Sequence, residues 1–257
     1  MPDRDAISAD TDVSWTIPWE LLRRGEVEQG LQILREEYES RRTKNFAARE
    51  ILRLGIAYLW AEMYESAAAH FTAAARRQFN GENDFAFAGI AEWQLGNLSV
   101  AIQRWREGLK AQYAVGCRVC SMTARFLVVA SALEPDLLSK DEAEILLLNA
   151  IEPIDQSRWS GLLGRYFLGQ VEATEVERWI ENKSRSVEVK LPLLWQTDFY
   201  RAARELKRNE IDVEAFRRLM RPLADAVSSK EMDTATFSQF LRIPEYFFAR
   251  TEAAKAG

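Results

Sequence analysis

Small and aromatic residues recur in this chain at a step of 34 positions, and that step limits the folds open to it. Residues 51–74 read ILRLGIAYLWAEMYESAAAHFTAA. Moving forward 34 positions places Gly55 on Gly89, Ala67 on Ala101, Phe71 on Trp105 and Ala74 on Gly108. A register kept at small positions as well as large ones reports close packing. Glycine and alanine let two helices approach, and the aromatic fills the space beside them. Each step then reads as one antiparallel helix pair stacked on the next.

Composition agrees with long helices. Gly 12 and Pro 7 are few for 257 residues, and an all-β chain would need many more turn formers. Apolar periodicity near 3.6 predicts helices at 16–24, 27–40, 44–62, 65–78, 83–95, 98–111, 113–133, 140–151, 158–169, 174–182, 191–208, 211–228 and 234–253. Ser139 with Glu142, and Thr174 with Glu177, have capping-box spacing. Pro244 predicts a break in the last segment. Val187 to Leu191 is the nearest approach to a strand. Hydrophobic content of 47% and charged content of 28% are globular values.

Leu54-Gly55, Tyr58, Ala67, Phe71 and Ala74 together resemble the tetratricopeptide repeat, whose signature is a Leu-Gly, a Tyr three residues later, and an Ala, an aromatic and an Ala on the second helix. The resemblance is specific over 48–111 and weaker outward. Gly25 and Gly30 sit five apart, as Gly96 and Ala101 do, which marks 16–40 as a degenerate first pair. A third step from Gly89 falls on Thr123, and Leu163-Gly164 with Phe167 repeats the pattern after an insertion near Pro135. Ala202 and Asn209 mimic the spacing of Gly89 and Gly96. The family fold implied is all-α, a right-handed superhelix of antiparallel pairs with no significant sheet. The expected organisation is a disordered leader at 1–13, a repeat domain at 14–228, and C-terminal capping helices with a short tail at 229–257.

Catalytic motifs are missing from the sequence: there is no GxGxxG, P-loop, HExxH or GxSxG. The single histidine, His70, follows three alanines on a second helix and reads as a surface or interhelical residue. Cys117 and Cys120 form a lone CxxC without a second pair, and a helical spacing of three reads as two small buried thiols. Glu36-Glu37 and Asp141-Glu142 read as solvated faces or first-turn dipole partners. The expectation is a non-enzymatic chain with no cofactor and no metal. An all-helical enzyme would have to run acid–base chemistry on Asp, Glu, Tyr or Arg alone.

In a stack of helix pairs the first helices line the concave face. The family pattern assigns that face to Leu52, Arg53, Ile56, Leu59 and Trp60 in one repeat, and to Ala86, Phe87, Ile90, Trp93 and Gln94 in the next. These are mainly apolar and aromatic, without the Lys/Asn clamp that the family uses for acidic peptide tails. An open groove of this kind suits an apolar or amphipathic helix, or an extended segment with aromatic anchors. The alternative is that the same side chains fill the groove themselves.

The function expected is a protein-interaction module or adaptor for a protein or peptide partner. A ligand-gated regulator is the second reading, and an immunity or inhibitor protein that sequesters one partner is a special case of the first. A net charge of −5 gives no case for nucleic acid. No apolar run approaches the length of a membrane span, and residues 1–13 do not read as a secretory signal, so a cytoplasmic location is expected. Arginines outnumber lysines 26 to 8, a usage compatible with a GC-rich bacterium. Arg201, Arg204, Arg208, Arg217, Arg218 and Arg221 offer a second docking surface, or pair with Glu205, Glu210, Asp212 and Glu214. An apolar strip at either end of the stack would favour a homo-oligomer.

Overall fold

Helices 12–17 residues long and short tight turns build most of a computed structural model that describes residues 10–41, 48–77, 82–114, 122–134, 136–151 and 159–184. The helices are α1 (Asp10–Arg23), α2 (Val27–Arg41), α3 (Ala48–Trp60), α4 (Tyr64–Arg76), α5 (Glu82–Gln94), α6 (Leu98–Ala114), α7 (Met122–Leu133), α8 (Lys140–Leu146), α9 (Trp159–Phe167) and α10 (Ala173–Ser184). A π-helical segment, Leu147–Ile151, continues α8. There is no strand among the described residues.

From α1 to α8 each helix packs on the next in chain order, and α7 also meets α5 and α9. One apolar core runs from Trp19 in α1 to Val176 in α10. Rings tie its layers together. Phe71 of α4 meets Phe87 of α5 at 5.2 Å, Trp93 of α5 stacks on Trp105 of α6 at 5.6 Å, and Trp105 stacks on Phe126 of α7 at 5.0 Å. Such pairs add a directional preference to the area that they bury.

The 34-residue register has a direct structural counterpart. A Cβ added at Gly55 would lie 2.2 Å from the Phe71 ring, and one added at Gly89 would lie 2.2 Å from the Trp105 ring. Both glycines therefore seat the aromatic of their own second helix against bare backbone. Ala67 and Ala101 are buried in equivalent first turns, where Ala67 N–H donates to Met63 O and Ala101 N–H to Asn97 O. A further tie recurs: Trp105 Nε1 donates to Ala86 O at 3.1 Å, and His70 Nε2 donates to Ile51 O at 2.9 Å, each reaching back 19 residues. Phe71 has no N–H to give, so its neighbour supplies the bond.

Four turns share one hydrogen-bond pattern. The backbone N–H of Glu26, Met63, Asn97 and Gln170 donates to the carbonyl five residues earlier, at 2.8–2.9 Å. The residue before each lies in the left-handed region: Gly25, Gly96 and Gly169 with φ +83, +79 and +77°, and Glu62 with φ 59°. Glycine takes this conformation without the Cβ clash that a glutamate suffers. The Gly25 and Gly96 turns are each followed five residues on by a buried small residue, Gly30 and Ala101.

Some expectations shift. Helix α1 starts at Asp10, inside the stretch expected as a disordered leader, and residues 1–9 lie outside the described residues. The segment expected as one helix at 140–151 is α-helical only to Leu146. Ser139 caps α8 by accepting from Glu142 N–H at 3.2 Å, but the Glu142 carboxylate turns away to Arg106. The Thr174 cap is displaced because α10 already begins at Ala173. The helices expected at 191–208, 211–228 and 234–253, the capping pair at 229–257, the Pro244 break and the Val187–Leu191 segment all fall outside the described residues.

Candidate functional site

The residues expected to form a partner-binding face lie on α3 and α5. In α3, Ile56 and Leu59 are buried at 2% exposure each and Arg53 at 8%, while Leu52 and Trp60 are half-buried. In α5, Ala86, Phe87, Ile90 and Trp93 are buried and Gln94 is half-buried. Seven of the ten are thus core in this structure, and the self-filled alternative describes them better than an open groove. The physical reason is that rings from neighbouring helices occupy the space. Phe87 lies on Phe71, Trp93 on Trp105, and the Trp60 ring meets Trp19 of α1 at 4.8 Å. Helix α5 is buried at eight of its 13 positions, including Asp84. A helix apolar on most sides has little face left to offer solvent.

Beside that face, charged groups tie helices together across long sequence gaps. The Glu82 carboxylate at the start of α5 accepts from Thr123 N–H at 2.7 Å and from Thr123 Oγ1 at 2.8 Å. It satisfies an otherwise unpaired donor in the first turn of α7 and complements that helix dipole. Arg106 of α6 holds Glu142 of α8 with two bonds of 2.7 Å, the forked geometry suited to a guanidinium and a carboxylate. That bond raises the Arg106 pKa from its ordinary value, against burial, which lowers it. Buried Glu50 of α3 is paired with Arg41 of α2 at 2.7 Å. Sequence reasoning missed these ties because their partners are 9 to 41 residues apart.

His70 sits between helices, one of the two places expected for it. Its ring meets Tyr38 of α2 at 5.4 Å, Tyr58 of α3 at 5.9 Å and Phe71 at 5.9 Å, all edge to face. Burial lowers its pKa, and the hydrogen bond to Ile51 O opposes that shift. On the same cluster, Arg35 of α2 lies over the Tyr58 ring at 5.7 Å, and its Nε donates to the Tyr58 hydroxyl. The Tyr58 bond and then Glu28 raise the Arg35 pKa.

Among the described residues no group of three or more His, Cys, Asp or Glu could hold a metal ion, and no helix is long and apolar enough to cross a membrane. Cys117, Cys120 and the arginines from Arg201 to Arg221 lie outside the described residues. Among the described residues the large apolar side chains that stay exposed are Ile17, Val100, Ile145 and Leu148. No protein-family model matches this chain, and no curated protein or solved structure gives a significant match.

Proposed function

We propose that the chain is a non-enzymatic interaction module of tetratricopeptide-like helix pairs, superhelical in arrangement, that holds a protein or peptide partner as an adaptor in the cytoplasm. The observation that carries this reading is the paired lock of Gly55 on Phe71 and Gly89 on Trp105, 34 residues apart. A scaffold of equivalent pairs stacked in chain order presents its first helices side by side, and such surfaces serve recognition. The partner meets Leu52, Trp60 and Gln94 first, since these are the assigned residues that keep some exposure. Ile56, Leu59, Phe87, Ile90 and Trp93 act as the packed floor that holds those side chains in place.

The test is co-purification from a native lysate with mass spectrometry, comparing the full chain with a Leu52→Glu/Gln94→Glu variant of unchanged helicity and unfolding midpoint. A partner held by the wild type and lost from the variant supports the reading. A partner held equally by both removes the first-helix face from it. A turnover activity abolished by a single carboxylate substitution would overturn the non-enzymatic part.

One observation favours the regulatory version as a second reading. With seven of the ten assigned residues buried, a ligand that engages Ile56 or Ile90 must first part the helices that cover them. Binding of that kind shifts a population and changes the shape of the stack. A scattering profile unchanged at saturating ligand would remove this version.

A further inference from the structure

The two strong repeats differ in the group that ties the second helix back to the first, and the tie itself is offset by one position, His70 to Ile51 in one and Trp105 to Ala86 in the next. In α5–α6 the second helix reaches back to the first through Trp105 Nε1, which carries a proton at every accessible pH. In α3–α4 the same reach is made by His70, the only histidine in the chain. The acceptor is the Ile51 carbonyl, which can only accept, so Nε2 carries the proton and neutral His70 leaves Nδ1 bare. Among the described residues Nδ1 has no acceptor to receive a second proton.

The surroundings are hostile to an imidazolium. From α2 the ring faces Tyr38, with Arg35 and Arg41 on the same helix. From α3 it faces Tyr58, under the Arg35 guanidinium, with Glu50 beside Ile51 but engaged by Arg41. One turn away on α4 the neighbours are Ser66, Ala67, Ala73 and Ala74, none of them charged. A cation formed here keeps its bond to Ile51 O but loses solvation, and no ion pair offsets that loss: one Glu50 oxygen is held by Arg41 and the other is buried without a hydrogen-bond partner.

We infer that His70 is an acid-sensitive latch on the first strong helix pair: uncharged, it closes α4 onto α3 and α2, and protonation loosens that junction while the Trp105 tie keeps α5–α6 closed. The direction follows from linkage. The folded chain holds the proton less tightly than the unfolded one, so the latch is fully effective above the ordinary imidazole value and weakens as pH falls below it. Each unit by which the folded value lies lower raises the open-to-closed ratio by up to about tenfold at the acid end.

The experiment uses the full chain. Amide hydrogen exchange at pH 7.5 and 5.5, corrected for intrinsic rates, compares α3–α4 with α5–α6 inside one molecule, and NMR follows the single imidazole. Expected are an imidazole titrating below its ordinary value, a several-fold loss of protection in α3–α4 at pH 5.5, and unchanged protection in α5–α6. His70→Gln keeps a side-chain N–H donor without a titration, so it should abolish the difference between the two pH values. Equal acid sensitivity in both pairs, an imidazole titrating at or above the ordinary value, or the same response in His70→Gln would each overturn the latch. The internal comparison stands even where that variant fails to fold.

Discussion

Gly89 and Gly164 are both helix glycines against which a neighbour closes, yet they close differently. At Gly89 the neighbour is the Trp105 ring sixteen residues ahead, in the second helix of the same pair, and Gly55 repeats the arrangement with Phe71. At Gly164 the neighbours are Leu147 in the π-helical segment and Val128 in α7, both earlier in the chain. Gly55 and Gly164 carry the same letters, Leu-Gly followed by an aromatic three residues on, over two kinds of contact. In α3–α6 the glycine packs forward and the pair is self-contained. In α7–α9 it packs backward onto helices already laid down. A sequence motif reports a repeat where its partner position also recurs, as it does for Gly55 with Phe71 and Gly89 with Trp105.

The largest effect should come from the ring. Trp105 is fully buried, stacks on two rings and donates to Ala86 O. Trp105→Ala should cost about 3–5 kcal/mol in urea unfolding. A cost below about 1 kcal/mol would break the claim that the locked pairs carry the core.

Helix α8 is held by a local device that α4 lacks. Ser139 accepts from Glu142 N–H, whereas Met63 before α4 makes no side-chain cap bond. Ser139→Ala should cost about 1 kcal/mol, read as a lower unfolding midpoint. An unchanged midpoint would show that Arg106 and Glu142 alone fix the start of α8.

The smallest effect separates two otherwise matching turns. Glu62 holds the left-handed position that Gly96 holds one repeat later. Glu62→Gly should raise stability by up to about 1 kcal/mol, and Gly96→Ala should lower it by a similar amount. The same sign for both would deny their equivalence.

Helices with an apolar stripe and punctuated ends were legible in the sequence. The expected 83–95 and 98–111 became Glu82–Gln94 and Leu98–Ala114, because Gly96-Asn97 marks the turn between them. The α3–α4 turn carries no such signal, since Glu62 takes a conformation that its identity does not announce. The start of α1 at Asp10 was not legible because the polar residues 10–12 gave no apolar periodicity to read. The candidate face was legible as a set of positions on α3 and α5, but its burial was not. Periodicity tells which side of a helix is apolar, and what lies against that side depends on rings such as Trp19 and Trp105 from elsewhere in the chain. Glu82 with Thr123 and Arg106 with Glu142 were hidden for the same reason.

The account rests on Gly55 and Gly89 being the same lock twice, and urea unfolding of Gly55→Ala, Gly89→Ala and Gly164→Ala tests it most directly. A Cβ at either lock would enter a buried ring, whereas at Gly164 it would meet the flexible end of Leu147. The account predicts similar losses of roughly 1–3 kcal/mol for the first two. For Gly164→Ala it predicts a change near zero, since alanine's better helix propensity offsets the crowding. Tolerance of alanine at Gly55 or Gly89, or a loss at Gly164 as large as theirs, would contradict it.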